Sequence, residues 1–499
     1  MINRNYFRTD DGKDRTFTFV LVSSLFFLWG FCNGMIDVMD RLFQKELNLS
    51  LSQSAWVQFA HYLGYFLMAL PAGWLAQQLG YRGGIILGLL IVAAGGFWFL
   101  PATQIATFWA FLLGVCLIAA GLTFLETVAN PYTTVLGPKE YGASRINLAQ
   151  SCNGLGQVLG PLAGSIFFYG SDAQGKSTGI ANLWMPYVAV AVLVVVLAFI
   201  FFRSDVPDIV GSDEYGDTAA GKDKPADEVL APATTRGTAL TLIWLNLLVL
   251  SASVGMIVMA ISAIFDHDES HTIYFLLGSS LVVLIVTSAV LFAKRDRIDQ
   301  HSIWMHPHFS TATITQFFYV AAQASIFAYI INFLTSQAPM AISDGTASNL
   351  VSVAAGLFLA GRFIGSGLLK QFAAHHVLVV FSLANILMCI LIILKLGWIS
   401  LIAIFLSYFF MSIMFPTIFA LGIFGLGQRA KGASAYIVMA IMGGAIMPKL
   451  MGHIGDVYDI SRGFIVPLVC FGVVGAYAFY WPKLSGATSM HGVDTTKGH

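Results

Sequence analysis

The chain has 499 residues, of which 57% are hydrophobic and only 10% charged, with Lys plus Arg and Asp plus Glu balanced at 26 each. A water-soluble domain carries about 25% charge, and so small a charged fraction cannot cover a globule of this length in water, so composition selects the membrane class. Zero net charge offers no basic surface for nucleic acid, and the five cysteines (Cys32, Cys116, Cys152, Cys389, Cys470) lie in apolar stretches without a C-x-x-C pair, which argues against a disulfide framework or a zinc site.

A membrane-spanning helix needs about 20 mostly apolar residues. Residues 1–16 read as a cytoplasmic N-terminus. The apolar run after them is too long for a signal-peptide core and lacks a small-residue cleavage site, so it is an uncleaved first span. Six runs follow within an N-terminal bundle at 17–203: 17–39, 55–77, 84–102, 106–132, 146–169 and 183–202. Residues 204–236 are rich in Asp, Glu, Gly, Pro and Lys and read as a cytoplasmic linker. An inserted pair at 237–294 holds runs 238–265 and 273–293, separated by the acidic hairpin Asp266-His267-Asp268-Glu269. After a second cytoplasmic linker at 295–310, a C-terminal bundle at 311–482 carries runs 311–334, 348–369, 377–394, 398–421, 433–451 and 463–481. Residues 483–499 form a tail. The expectation is an all-α integral membrane protein with about fourteen spans, arranged six, two, six.

With the N-terminus in the cytoplasm, most of the 26 basic residues fall on the inner side. This bias places both termini there and makes the span count even. Two six-helix bundles joined by a polar linker are the pattern of a transporter built from two halves, with a site between them near the midplane.

Polar groups within apolar runs carry the remaining information, because a charge at the bilayer centre costs roughly 2.5–3.5 kcal/mol on insertion scales. Glu126 is the clearest, set deep in Gly121-Leu-Thr-Phe-Leu-Glu-Thr-Val-Ala-Asn-Pro-Tyr132. A carboxyl that gains and loses a proton as its access to water changes is what proton coupling requires; the alternative is a structural carboxyl bonded within the bundle. Asp37 lies late in the first span, one turn after Asn33, and fits either a coupling or substrate role or a cap paired with Arg41. Asp40 lies nearer the end of the span and is expected to be solvated. Gln58 and His61 lie in the second span; the imidazole fits a satisfied core histidine or a partner for Asp37 or a ligand hydroxyl. Asn147, Gln150 and Asn153 recur every three residues and form a polar stripe, with Asn130, Gln157 and Gln323 immersed elsewhere. Amides both donate and accept, which suits a ligand made of hydroxyls, though interhelical bonding is an equal alternative. Tyr65, Tyr319 and Tyr329 offer ring faces, and Arg362 is expected to anchor a cytoplasmic gate. Gly156, Gly160 and Gly164 are four apart and predict a close helix-packing seam. The acids after residue 300, Asp344, Asp456, Asp459 and Asp494, are expected in loops or the tail, so proton-coupling carboxyls must belong to the first half.

Several motifs resemble the fucose permease family of sugar–proton symporters. They are Trp29-Gly-Phe31, Gln58-Phe-Ala60, Leu70-Pro-Ala-Gly73, Gly80-Tyr81, Leu125-Glu-Thr-Val-Ala-Asn-Pro-Tyr132 and Arg145-Ile-Asn-Leu-Ala-Gln150 in the first half, and Phe317-Phe-Tyr-Val320, Gly361-Arg-Phe363 and Phe415-Pro-Thr-Ile-Phe419 in the second. The resemblance covers roughly 18–205 and 305–482, and the inserted pair lies outside the usual twelve-span pattern. It implies a major facilitator fold and uptake of a monosaccharide, such as L-fucose, glucose or galactose, with a proton. It implies further that the family's intramembrane glutamate falls on Glu126 and its polar fifth-span residues on Asn147, Gln150 and Asn153. The reading calls for a monomer in a lipid bilayer, the bacterial inner membrane, with proton coupling at Glu126 and Asp37. Asn33, Gln58, His61, Asn130, Asn147, Gln150, Asn153, Tyr319 and Gln323 are expected to bind substrate, with no cofactor, metal or nucleic acid. A proton-driven exporter and a non-transporting sugar receptor are the alternatives; no nucleophile–base set suggests an enzyme.

Overall fold

The computed structural model describes residues 7, 13–136, 142–169, 179–204, 233–265, 269–298, 302–424, 426 and 430–486. Each of the apolar runs lies on a helix. In the first half these are α1 (Thr16–Glu46), the short α2 (Leu51–Ser54), α3 (Trp56–Ile105), α4 (Phe108–Val135), α5 (Gly142–Phe168), the short α6 (Gly179–Asn182) and α7 (Trp184–Arg203). The inserted pair is α8 (Arg236–Phe265) and α9 (Glu269–Ala293). The second half comprises α10 (Pro307–Gln337), α11 (Asp344–Gln371), α12 (Ala374–Ile393), α13 (Trp398–Met411), α14 (Met414–Ile423), α15 (Ala430–Met439), α16 (Gly443–Val457), α17 (Ile460–Gly463) and α18 (Ile465–Ser485).

Helix α3 contains two of the expected spans. They part at Gly80, whose φ of 68° and ψ of −179° break the helix, a backbone conformation open to glycine and strained for other residues. Among the described residues, 12 helical stretches are long and apolar enough to cross a membrane. The arm of α3 before Gly80, where the side chains of 73, 76 and 77 lie outside those described, and the amide-rich α5 complete the fourteen.

Local chemistry fixes the ends. Ser50 and Gln53 form a reciprocal capping box at α2. Ser343 caps α11 by accepting from the Thr346 amide, and Pro307 opens α10 at a position where no N–H is needed.

The glycines expected to form a seam pack α5 against α1. A Cβ on Gly160 would sit 2.7 Å from the Phe31 carbonyl oxygen and 2.9 Å from Gly34 Cα. A Cβ on Gly34 would sit 2.9 Å from the Gln157 carbonyl oxygen and from Pro161 Cδ. Backbone thus meets backbone on both sides, and neither helix can yield locally.

Within the second half, α10 packs on α14, α16 and α18, and α11 and α12 pack on α13. The halves meet where α5 packs on α11, α1 on α10, and α2 on α16. The inserted pair packs on itself and, through α8, on α10 and α16. Asn246 Nδ2 donates to the Ser310 carbonyl at 3.1 Å, and the Thr234 amide donates to the Met305 carbonyl at 2.8 Å. The span of α9 presents Leu277, Leu281, Ile285 and Phe292 outward, all exposed, as a lipid-facing helix does.

Overpacking a closed core site costs about 1–3 kcal/mol. Gly160→Ala is therefore expected to lower the thermal unfolding midpoint of purified protein in detergent by several degrees. Gly472→Ala, where a Cβ meets nothing within 4 Å, is expected to leave it within about a degree of wild type. Equal midpoints for the two variants would count against the seam.

Candidate functional site

Trp29, Asn33, Asp37 and Asp40 recur at helical spacing and turn one face of α1 toward the first arm of α3. The two helices run antiparallel, so residues later in α1 meet residues earlier in α3. Trp29 Nε1 donates to the Tyr65 hydroxyl at 2.5 Å, and Asn33 lies beside the same tyrosine. One turn on, the Gln58 carboxamide lies beside Asp37, and its Nε2 reaches Asp40 Oδ2 at 3.5 Å. His61 lies between these contacts, its ring 5.1 Å from both the Tyr62 and Tyr65 rings. It is buried, and its Nδ1 has no partner among the described residues. Glu126 on α4 lies within electrostatic range of Tyr65.

Asp37 opens on the boundary between the halves. A cavity of about 10 Å³ is lined there by Gly34, Asp37, Gln157, Pro161, Phe358 and Tyr408, with Phe327 beside them. It has room for roughly one water and is far too small for a monosaccharide. The Tyr408 hydroxyl has no partner among the described residues, and its ring stacks on Phe327 with centroids 4.5 Å apart.

The other expected site residues are placed as follows. Asn153 is buried, and its Oδ1 accepts from Gln157 Nε2 at 3.3 Å; Gln150 is half-buried on the same helix. The side chains of Asn130 and Asn147 lie outside the described residues. Tyr319 is buried with its hydroxyl donating to the Met411 carbonyl at 2.9 Å, so its polar end is committed within the second half. Gln323 is half-buried on α10. Arg362 donates to the Ser412 carbonyl at 3.4 Å, where α13 gives way to α14, and lies 4.8 Å from the Phe358 ring centroid. Tyr62 and Tyr408 join the cluster without having been singled out in the sequence. Both interact electrostatically with Asp37, but nothing in the sequence separates them from the chain's other tyrosines, 17 in all.

The end of the molecule where α1 finishes is closed by polar contacts between halves, and three sequence expectations are corrected there. Asp40 is not solvated: it is 0% exposed, because the second half covers this end of α1. Asp344 and Asp456 are not loop residues. Asp344 is the first residue of α11 and pairs with Arg41 at 2.9 Å and with Lys45. Asp456 is in the last turn of α16, and its two oxygens accept from the backbone amides of Leu51 and Ser52, each at 2.8 Å. It thereby caps α2 across the interface. Around them, Asn332 Nδ2 donates to Gln44 Oε1, Gln44 Nε2 donates to Ser54 Oγ at 2.8 Å, and the Tyr329 hydroxyl donates to the Leu51 carbonyl at 2.8 Å. Tyr329 therefore belongs to this closure. Deeper in, Ser348 Oγ donates to the Pro161 carbonyl at 2.7 Å. Asp494 lies outside the described residues.

Two helical halves with a polar seam between them define a membrane transporter of the major facilitator fold, and the chain belongs to the Major Facilitator Superfamily, whose family model matches residues 18–422. Within it, the chain is 30% identical over 488 residues to the L-fucose-proton symporter of Escherichia coli K12, covering 94% of each chain. It is 27% identical to a glucose/galactose transporter of Brucella abortus, covering 96% of this chain and 98% of that one. The crystal structure of FucP, a Major Facilitator Superfamily transporter in the outward conformation, superposes with a TM-score of 0.59 at 29% identity, over 94% of this chain and 99% of that one. A D-xylose-proton symporter shares the fold, with a TM-score of 0.63 at 10% identity, over 95% of this chain and 99% of that one.

Hydrogen bonds to a charged acceptor contribute about 1.5–3 kcal/mol each, and about 1.4 kcal/mol is tenfold in an equilibrium. Asp456→Ala removes two bonds that exist only when the halves meet at this end. It is expected to raise the labelling rate of Ser348→Cys by a membrane-impermeant maleimide at least tenfold. An unchanged rate would mean that Asp456 does not hold the closed end.

Proposed function

We propose that the protein carries a monosaccharide into the cell together with a proton, by alternating access of one site between its two halves. The observation that carries this reading is the grouping of Asp37 and Glu126 around Tyr65, Asn33, His61 and Gln58, on a seam shared with the second half. Near-full-length similarity to an L-fucose-proton symporter and to glucose/galactose transporters supports it. Lipid cannot solvate a carboxylate, and groups of this kind default to function in a membrane interior.

In the proposed cycle the halves part at the Asp344 end, the sugar enters the seam, and Glu126 and Asp37 take a proton from the same side. Closure over the sugar is followed by opening at the opposite end and release of both. Asn33, His61, Gln150, Asn153 and Gln323 present hydroxyl-binding groups, and Tyr408 and Phe327 offer ring faces from the second half. Gln58 acts first on the carboxyls, and only through them on the sugar. Arg362 braces the junction of α13 with α14. The distribution of Lys and Arg puts both termini in the cytoplasm, so the closed Asp344 end faces outward, and the setting is the bacterial inner membrane. The protein acts as a monomer, since both halves of the site come from one chain.

The test is uptake of labelled hexoses and 6-deoxyhexoses into proteoliposomes, with and without an inwardly directed proton gradient. Gradient-driven accumulation is expected for at least one of them. Equal accumulation in both conditions would defeat the coupling. Glu126→Gln is expected to abolish accumulation above equilibrium while counterflow, which needs no net proton movement, continues at a comparable rate.

A further inference from the structure

One buried acid is left over once the coupling groups are assigned. Asp40 is 0% exposed, three residues beyond Asp37 on the same face of α1. Its Oδ1 has no hydrogen-bond partner among the described residues, and its Oδ2 has only the long contact from Gln58 at 3.5 Å. The cations adjacent in sequence are engaged elsewhere, Arg41 and Lys45 with Asp344. The titratable groups that face Asp40 are Asp37 on its own helix, Tyr329 from α10, and Tyr169 just beyond α5. Both tyrosine hydroxyls donate to backbone carbonyls instead, those of Leu51 and Val38. Among the described residues no cation is paired with Asp40, and the one amide that reaches it, from Gln58, lies beside Asp37 as well.

We infer that Asp40 is a second proton-binding site, and that the halves close over it only after it has taken a proton from the outer water. The inference rests on the outward assignment of the Asp344 end made above. With that end parted, Asp40 lies in water beside Arg41 and Lys45 and is a carboxylate. Closing draws both cations to Asp344 and removes the water. An uncompensated buried carboxylate costs several kcal/mol, and a second carboxylate three residues away adds repulsion. Formation of one O–H bond on Asp40, with a proton from the outer solution, takes its charge from −1 to 0 and lifts both penalties. The closed state therefore binds one more proton than the open state, and raising the pH favours opening.

The test uses full-length protein in nanodiscs, with spin labels at Glu46→Cys and Met340→Cys in a background lacking the five native cysteines. Two quantities are followed against pH, the inter-label distance and the infrared band of protonated carboxyl groups. The wild-type background is expected to shift toward the longer distance as pH rises, with loss of carboxylic-acid intensity over the same range. Asp40→Asn is expected to stay closed to a pH at least one unit higher and to lack that component of the band, and Asp40→Glu to restore the response. The inference is overturned if Asp40→Asn leaves both the band and the pH response unchanged. It is equally overturned if sodium at fixed pH drives closure in place of protons, since the site is then a cation site. Neither readout involves a sugar, so failure of proton-driven sugar uptake would leave this result standing or falling by itself.

Discussion

A carboxyl in a membrane interior has only protein to solvate it, and α1 carries two of them within three residues, Asp37 and Asp40. Much of the first half follows from that constraint. The acids face the first arm of α3, where Gln58 lies beside both and His61, Tyr62 and Tyr65 add polar atoms. A neighbouring face of α1 must then be nearly featureless, so that α5 can come close enough to help enclose them. Gly30 and Gly34 on α1 and Gly156 and Gly160 on α5 meet that need, each leaving backbone against backbone. The seam and the acid cluster are thus one arrangement viewed from two sides of the same helix.

The contacts that close the Asp344 end differ in kind from those in the middle of the molecule. In the middle, the second half offers mainly the apolar Phe327, Phe358, Val351 and Ala355, with the Tyr408 hydroxyl and the Ser348 bond to the Pro161 carbonyl as its polar groups. At the end, the ties are charged groups on backbone amides and on one another, as with Asp456 on α2 and Asp344 on Arg41 and Lys45. When the halves part, such bonds exchange for bonds to water at modest net cost. A protein that must populate two conformations within a few kcal/mol needs that kind of tie.

The spans were legible in the sequence because the thickness of a bilayer imposes a run length that few other constraints imitate. Glu126 and Asp37 were legible for a related reason, since a charge within such a run is rare and costly. The glycine seam could be read from its spacing of four. Asp40 could not. A carboxyl near the end of a span is exposed or buried according to what covers it, and its cover comes from helices nearly 300 residues away in sequence, such as α10 with Asn332 and Tyr329. Asp456 was hidden in the same way, because capping a helix of the other half leaves no local pattern. Tyr408 matters through position alone, and position is what composition omits.

The inserted pair lies to one side of both the closing contacts and the cavity. Helix α8 is fastened to α10 through Asn246 and the backbone of Thr234, and α9 is fastened to α8, with Trp244 Nε1 donating to Ser288 Oγ at 3.1 Å. These bonds join the pair to the second half or lie within the pair itself. The closing contacts of the Asp344 end involve neither helix, and the Asp37 cavity is lined by neither. The pair is thus fastened to the second half, with its outer face apolar and exposed. The acids at the core of the site stay in the first half, and those of the second half that cross to it, Asp344 and Asp456, act at its rim. In the proposed cycle, proton chemistry falls to the first bundle and the closing acids Asp344 and Asp456 to the second, and α1, which bears Asp37, Asp40 and Arg41, is the element that joins them.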